Sequence, residues 1–189
     1  IYVATKCGRR LQPHEADGYT PKNLQKFVED SLQNTRLERL DLIQLHCPPS
    51  LVYGRDEVFG LFEKLIQQGK VAALGVSVEK VDEGIRAMNY SVVSSIQVIV
   101  NLFRQKPVEE VFELAEEKNV GLIVRVPLAS GLLTGKITKQ STFETEDHRF
   151  FNRESKAFDK GETFSGVPLD LGFAAVEELK THFSEGHDL

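Results

Sequence analysis

The segment LDLIQLHCPP, Leu40 to Pro49, sets a short apolar run directly before a histidine, a cysteine and two prolines. Asp41-Leu42-Ile43-Gln44-Leu45 is long enough for a buried strand, and His46 stands where that strand should end. Pro48 and Pro49 forbid continuation of either a helix or a ladder. The chain opens on a run of the same shape, Ile1-Tyr2-Val3-Ala4-Thr5, followed by Lys6. Two consecutive strands thus each deliver an ionisable residue at their carboxyl end, the edge where functional residues gather in an α/β barrel.

Outward from these runs, β and α patterns alternate. Thr20-Pro21 supplies an N-cap hydroxyl and a proline at the first helical position, and Leu24, Phe27, Val28 and Leu32 follow at helical spacing. Val58, Leu61, Phe62, Leu65 and Ile66 form a second apolar stripe closed by Gly69. Ala72–Val76 reads as a third strand ending at Ser77, and Ser95–Val100 as a fourth. A helix carrying Val81, Ile85 and Met88 lies between them. Pro107 opens a helix with Val108, Val111, Phe112 and Ala115 on one face, and Leu122–Val126 is a fifth strand stopped by Pro127. The pattern is lost from Leu128 to about Asp170, then returns as a last helix with Leu171, Ala174, Ala175 and Leu179.

Five β-α units in strict alternation imply a parallel sheet with helical crossovers. Near-continuous apolar strands are expected when both sheet faces are covered. An open doubly wound sheet and part of a closed barrel both fit this alternation. No GxGxxG follows the first strand, and site-like residues recur after every strand, which favours the barrel. A closed (β/α)8 barrel needs eight strands, so the expectation is an incomplete TIM barrel of about five β-α units. Ile1 begins inside a strand, and the chain reads as a piece of something longer.

With 189 residues the chain can bury a real core, and 41% hydrophobic with 27% charged residues is ordinary for a globular protein. A net charge of −5 without a basic block argues against nucleic acid or an anionic membrane as partner. No apolar run approaches the ~20 residues of a membrane span, and the first residues carry no signal-peptide pattern. Cys7 and Cys47 are the two cysteines; two reduced thiols in a cytoplasmic protein are expected.

Several stretches together resemble the aldo-keto reductases, NADPH-dependent (β/α)8 oxidoreductases. They are IYVATK (Ile1–Lys6), LDLIQLHCP (Leu40–Pro48), GKVAALGVS (Gly69–Ser77), SIQVIVNLF (Ser95–Phe103) and PLASGLLTGK (Pro127–Lys136). The resemblance implies that residues 1–189 are part of one NADP-dependent domain, without its first two strand units and its last. It implies reduction of small aldehydes or ketones with NADPH, and Lys6 and His46 as two members of a catalytic Asp, Tyr, Lys and His set. The Asp and Tyr would come from the strand region this chain lacks, so the chain alone is expected to be inactive. By chemistry, an ammonium beside a tyrosine lowers a phenol pKa of about 10, and a histidine orients the carbonyl oxygen.

By the same resemblance, Ser77 and Gln97 would hold the nicotinamide carboxamide, with Val78 where an Asn is usual. Arg125 stands where an aromatic side chain usually stacks on the nicotinamide, and a guanidinium can stack too. Leu128, Ala129, Ser130 and Lys136 match the segment around the pyrophosphate, and Arg149 is a further phosphate candidate. A non-catalytic, nucleotide-binding barrel similar to potassium-channel β subunits is the alternative. Tyr19 and Tyr53 are read as packing or substrate contacts, His182, His187 and Asp188 as a polar helix end, and His14, Asp17 and Cys7 match no metal-ligand spacing. Exposed sheet edges and apolar barrel residues predict poor solubility or association of the isolated chain.

Overall fold

The computed structural model describes residues 1–154, 156–157 and 159–183. In chain order these form β1 (Ala4–Cys7), α1 (Pro21–Thr35), β2 (Leu42–His46), α2 (Asp56–Gln67), β3 (Leu74–Ser77) and α3 (Val81–Ala87). There follow β4 (Val93–Ile99), α4 (Lys106–Glu110), α5 (Phe112–Glu117), β5 (Gly121–Arg125), α6 (His148–Phe151) and α7 (Leu169–His182). The strands form one sheet in the order β1-β2-β3-β4-β5, and the first three pairings are parallel. Sequential order with helical crossovers is that of consecutive strand units in a (β/α)8 barrel. The chain divides into two compact units, one of Ile1–Val98 with Pro107–Ile123, the other of Ile99–Lys106 with Val124 onward.

In the first unit the helices form where the spacing predicts. Thr20 Oγ1 accepts from the Asn23 backbone N–H at 3.2 Å, and Pro21 opens α1, so the first turn is capped and preset. The α2 stripe Val58, Leu61, Phe62 and Leu65 is buried, as are the strand residues Ile43, Leu45, Leu74, Val76 and Ile96. Each such side chain contributes about 1.5–3 kcal/mol on burial. Glu83, buried at the start of α3, accepts from the Glu79 and Lys80 backbone N–H groups at 3.2 and 3.1 Å and from Ser50 Oγ at 2.6 Å. Those three bonds satisfy a carboxylate that burial would otherwise penalise.

Boundaries differ from the sequence expectation in informative places. The first strand starts at Ala4, not Ile1; just before it the Val3 N–H donates to the Asp41 carboxylate at 2.9 Å. The same strand runs on to Cys7, so Lys6 lies within β1 and not after it. The helix expected from Pro107 is split at Val111, and Val108 is exposed while Val111 and Ala115 are buried.

The second unit has its own core of Ala129, Leu132, Leu133, Phe164 and Val176, flanked by Phe103, Ile137, Phe143, Leu169, Phe173 and Leu179. The patternless stretch contains 3-10 turns at Ala129–Thr134, Lys160–Glu162 and Phe164–Gly166. α7 turns inward a face that shares Leu179 with the expected one but is otherwise shifted: Gly172 and Val176 are buried, while Leu171 is 64% exposed. Gly172 explains this, since a Cβ there would lie 2.6 Å from Leu132 Cδ2; the helix docks through its glycine. His182 ends α7, and His187 and Asp188 lie outside the described residues. Among the described residues no helix is long and apolar enough to cross a membrane.

Candidate active site

Strand register decides which candidates share a face. Lys6 pairs with Gln44, His46 with Ser77, and Ser77 with Gln97. Side chains alternate along a strand, so Lys6, Gln44, His46, Ser77, Ser95 and Gln97 point to one side of the sheet. Cys7, Ile43, Leu45, Val76 and Ile96 point to the other, beneath the helices. His46, Ser77 and Gln97 form one row across three adjacent strands, and Lys6, Gln44, Gly75 and Ser95 form the row one pleat below. Adjacent strands lie about 4.8 Å apart, so neighbours within a row are within reach of one small molecule.

This polar face holds hydrogen-bonding capacity that is not used. Gln44 Nε2, Ser95 Oγ and Gln97 Oε1 are buried and have no hydrogen-bond partner among the described residues. A buried polar atom left unsatisfied costs about 1–3 kcal/mol, which an arriving donor or acceptor would recover. Gln97 Oε1 in particular suits an amide N–H donor. Gly75 makes the lower row compact: a Cβ there would lie 3.1 Å from Gln44 Cγ and 3.2 Å from the Ser95 carbonyl oxygen. Gln44 and Ser95 escape notice in the sequence, because only register shows that they close over a glycine.

Lys6 and His46 line a common cavity of about 670 Å³, with Arg9, Arg10, Phe27 and Asp30 among the other walls. Ser77 is fully buried, and its hydroxyl lies 3.6 Å from Cys47 Sγ. Both cysteines are buried free thiols, and burial pushes the Cys7 thiol up to about 12, which leaves it unreactive. Val78 is buried as well. Tyr19 and Tyr53 are buried packing residues. Burial raises both phenols, with Cys7 adding to the effect at Tyr19 and Glu83 at Tyr53, so neither is suited to donate a proton. His14 Nε2 lies 2.9 Å from the Tyr19 hydroxyl, and Asp17 pairs with Arg55 at 2.5 Å.

In the second unit Arg125 is held at the end of a strand, and the other candidates are held by turns. Arg125 ends β5 and forms an ion pair with Glu162. Ala129 and Ser130 take positive φ of 49° and 57°, followed by Gly131 at 94°, and this sequence folds the segment back on itself. Ser130 Oγ donates to the Glu162 carbonyl oxygen at 3.0 Å and accepts from the Phe164 N–H at 3.1 Å. Leu128 and Lys136 are exposed, and Ala129 is buried. Asn101, another residue without a sequence signal, donates through Nδ2 to the Val126 carbonyl oxygen at 2.9 Å and to Ser165 Oγ at 2.6 Å.

Ser130 and Arg149 line one cavity of about 470 Å³, together with Glu146, Asp147, His148 and Phe151. Asp147 grips the Arg149 guanidinium at 2.6 Å, and that hydrogen bonding holds the Asp147 carboxyl down to about 2. The same guanidinium lies 4.4 Å from the centre of the Phe143 ring.

The model of the aldo/keto reductase family matches residues 1–187. Aldo-keto reductase YhdN of Bacillus subtilis is 33% identical over 122 residues, which are 65% of this chain and 37% of that protein. Aldo-keto reductase yakc [NADP(+)] of Schizosaccharomyces pombe is 25% identical over 187 residues, 96% of this chain and 53% of that protein. The solved structure of the glycerol dehydrogenase AKR11B4 from Gluconobacter oxydans is 29% identical with a TM-score of 0.71, over 96% of this chain and 54% of that one. The chain thus spans about half or less of the length of these relatives. On the family match and these likenesses together, the chain belongs to the aldo/keto reductase family.

Proposed function

We propose that residues 1–189 supply the third to seventh strand units of a carbonyl reductase that uses NADPH. The observation that carries this reading is the single polar face of the first unit. Lys6, His46, Ser77 and Gln97 share it, and Gln97 Oε1 is buried there without a partner among the described residues. When bound, a reduced nicotinamide supplies a hydride to the carbonyl carbon of an aldehyde or ketone.

The chain's own residues bind and orient. Gln97 Oε1, as an acceptor, and the Ser77 hydroxyl, as a donor, would hold the nicotinamide carboxamide. Val78 contributes packing and no hydrogen bond from its side chain. His46 directs an imidazole N–H at the substrate carbonyl oxygen, and the Lys6 ammonium stabilises negative charge at that oxygen and its proton donor. In the second unit Arg125 would hold the nicotinamide ring, and Leu128, Ala129, Ser130 and Lys136 would hold the pyrophosphate, with Arg149 as an added phosphate contact.

The test is a titration of the chain with NADPH, with NADH alongside, read through reduced-nicotinamide emission. Saturable binding is expected, weakened by Gln97→Leu about tenfold, the value of one buried hydrogen bond of about 1.4 kcal/mol. Absence of binding to either cofactor would overturn the reading for this chain. With aldehyde added, the chain alone is expected not to turn over. Turnover that Lys6→Ala abolishes would show that its own residues include a sufficient proton donor.

A further inference from the structure

Glu162 lies in a stretch with no sequence pattern, 37 residues after its partner. Its backbone is anchored independently of the ion pair. Ser130 Oγ donates to its carbonyl oxygen at 3.0 Å, and the Asp159 carboxylate fixes the preceding turn by accepting from the Gly161 N–H at 2.8 Å. The Arg125 and Glu162 side chains retain only 17% and 23% of their exposure. A pair so shielded interacts more strongly than one in open water and is less screened by salt.

Carbonyl reduction gives no reason for a carboxylate in this position, but the charge on the nicotinamide does. The oxidised ring is a cation and the reduced ring is neutral. An aromatic side chain stacked on the ring accepts either form. A guanidinium without a counter-ion would repel the oxidised form and leave the reduced form almost untouched. A carboxylate fixed against that guanidinium cancels the discrimination.

We propose that Glu162 is a specificity-determining residue for the oxidation state of the cofactor: by neutralising Arg125, it lets the chain hold oxidised as well as reduced nicotinamide dinucleotide. The inference rests on the reading that Arg125 meets the nicotinamide ring. It assigns Glu162 a role that neither register nor packing requires.

Calorimetric titration of the full chain and its variants with NADP+ and with NADPH tests this. Glu162→Gln is expected to weaken NADP+ binding about tenfold and NADPH binding less than about twofold. A tenfold change in that ratio raises the potential of the bound two-electron couple by about 30 mV. Glu162→Asp keeps the charge and should restore the parent ratio. Arg125→Leu leaves the carboxylate unopposed and should move the ratio the other way, towards NADP+; it remains informative if Glu162→Gln fails to fold. Parallel changes for both cofactors in Glu162→Gln would reduce Glu162 to a structural role and overturn the proposal, with the cofactor reading intact. An Arg125→Leu variant that binds both forms as the parent does would overturn the assignment of Arg125 to the ring, and the proposal with it. A parent chain that binds neither form would overturn both.

Discussion

In the first unit, Gln44 Nε2, Ser95 Oγ and Gln97 Oε1 are buried without a partner among the described residues. In the turn segments of the second, Ser130 bonds to the Glu162 carbonyl and the Phe164 N–H, and Arg149 is gripped by Asp147. The contrast follows from how each unit positions its side chains. A parallel ladder fixes side-chain direction through backbone bonds alone, so polar side chains on it can be left for a ligand. A segment folded through positive φ has no ladder, and its own side chains must hold it together. Substitutions on the ladder face should therefore separate binding from stability, and substitutions in the turn segment should couple them.

The largest effect expected is at Gly75, where the ladder face is most crowded. Gly75→Ala places a methyl group against the Gln44 side chain and the Ser95 carbonyl oxygen, a backbone atom that cannot swing away. Overpacking of this kind costs about 1–3 kcal/mol, and the upper end is expected here, read as a lower urea midpoint. An unchanged midpoint would show that the ladder is softer than its register implies. Asn101→Ala is the counterpart in the second unit. It removes donation to Val126 and Ser165 and acceptance from the Phe103 N–H at 2.9 Å. Val126 is a β-branched residue at φ 52°, and Asn101 is one of the groups that hold it there. A loss of about 2 kcal/mol is expected, together with weaker cofactor binding. If stability falls and binding does not, the coupling assigned to this segment is wrong.

What the sequence made legible follows the same division. Apolar runs ending at His46 and Ser77, and the α2 stripe, are local signals, and each element forms close to its expected place. The row of His46, Ser77 and Gln97 needs only those strands in sequential order. Gln44 and Ser95 were hidden because their meaning lies in the glycine between them on a third strand. Glu162 was hidden because an ion pair across 37 residues leaves no periodicity. Of the expected α7 face only Leu179 is packed on the core and Leu171 is exposed, because hydrophobic spacing counts large side chains and this helix is seated through Gly172.

The smallest effect expected has the opposite sign and sharpens the contrast most. Gln44 Nε2 is fully enclosed and bonds to nothing among the described residues, so Gln44→Leu removes an unsatisfied donor and keeps the side chain's bulk. A gain of about 1 kcal/mol is expected in urea denaturation, since exchanging an unpaired buried amide for an apolar group of similar shape relieves its desolvation cost. Gln97→Leu should stabilise by a similar mechanism while it weakens cofactor binding. The two variants thus ask whether polarity on this face serves the fold or the ligand. If Gln44→Leu stabilises and leaves binding intact, the lower row is a second layer that the bound dinucleotide does not reach. If it stabilises and binding is lost, the lower row belongs to the site. A destabilised Gln44→Leu would mean that Gln44 serves the fold itself, and the contrast between an unfilled ladder face and a self-satisfied turn segment would fail at its clearest residue.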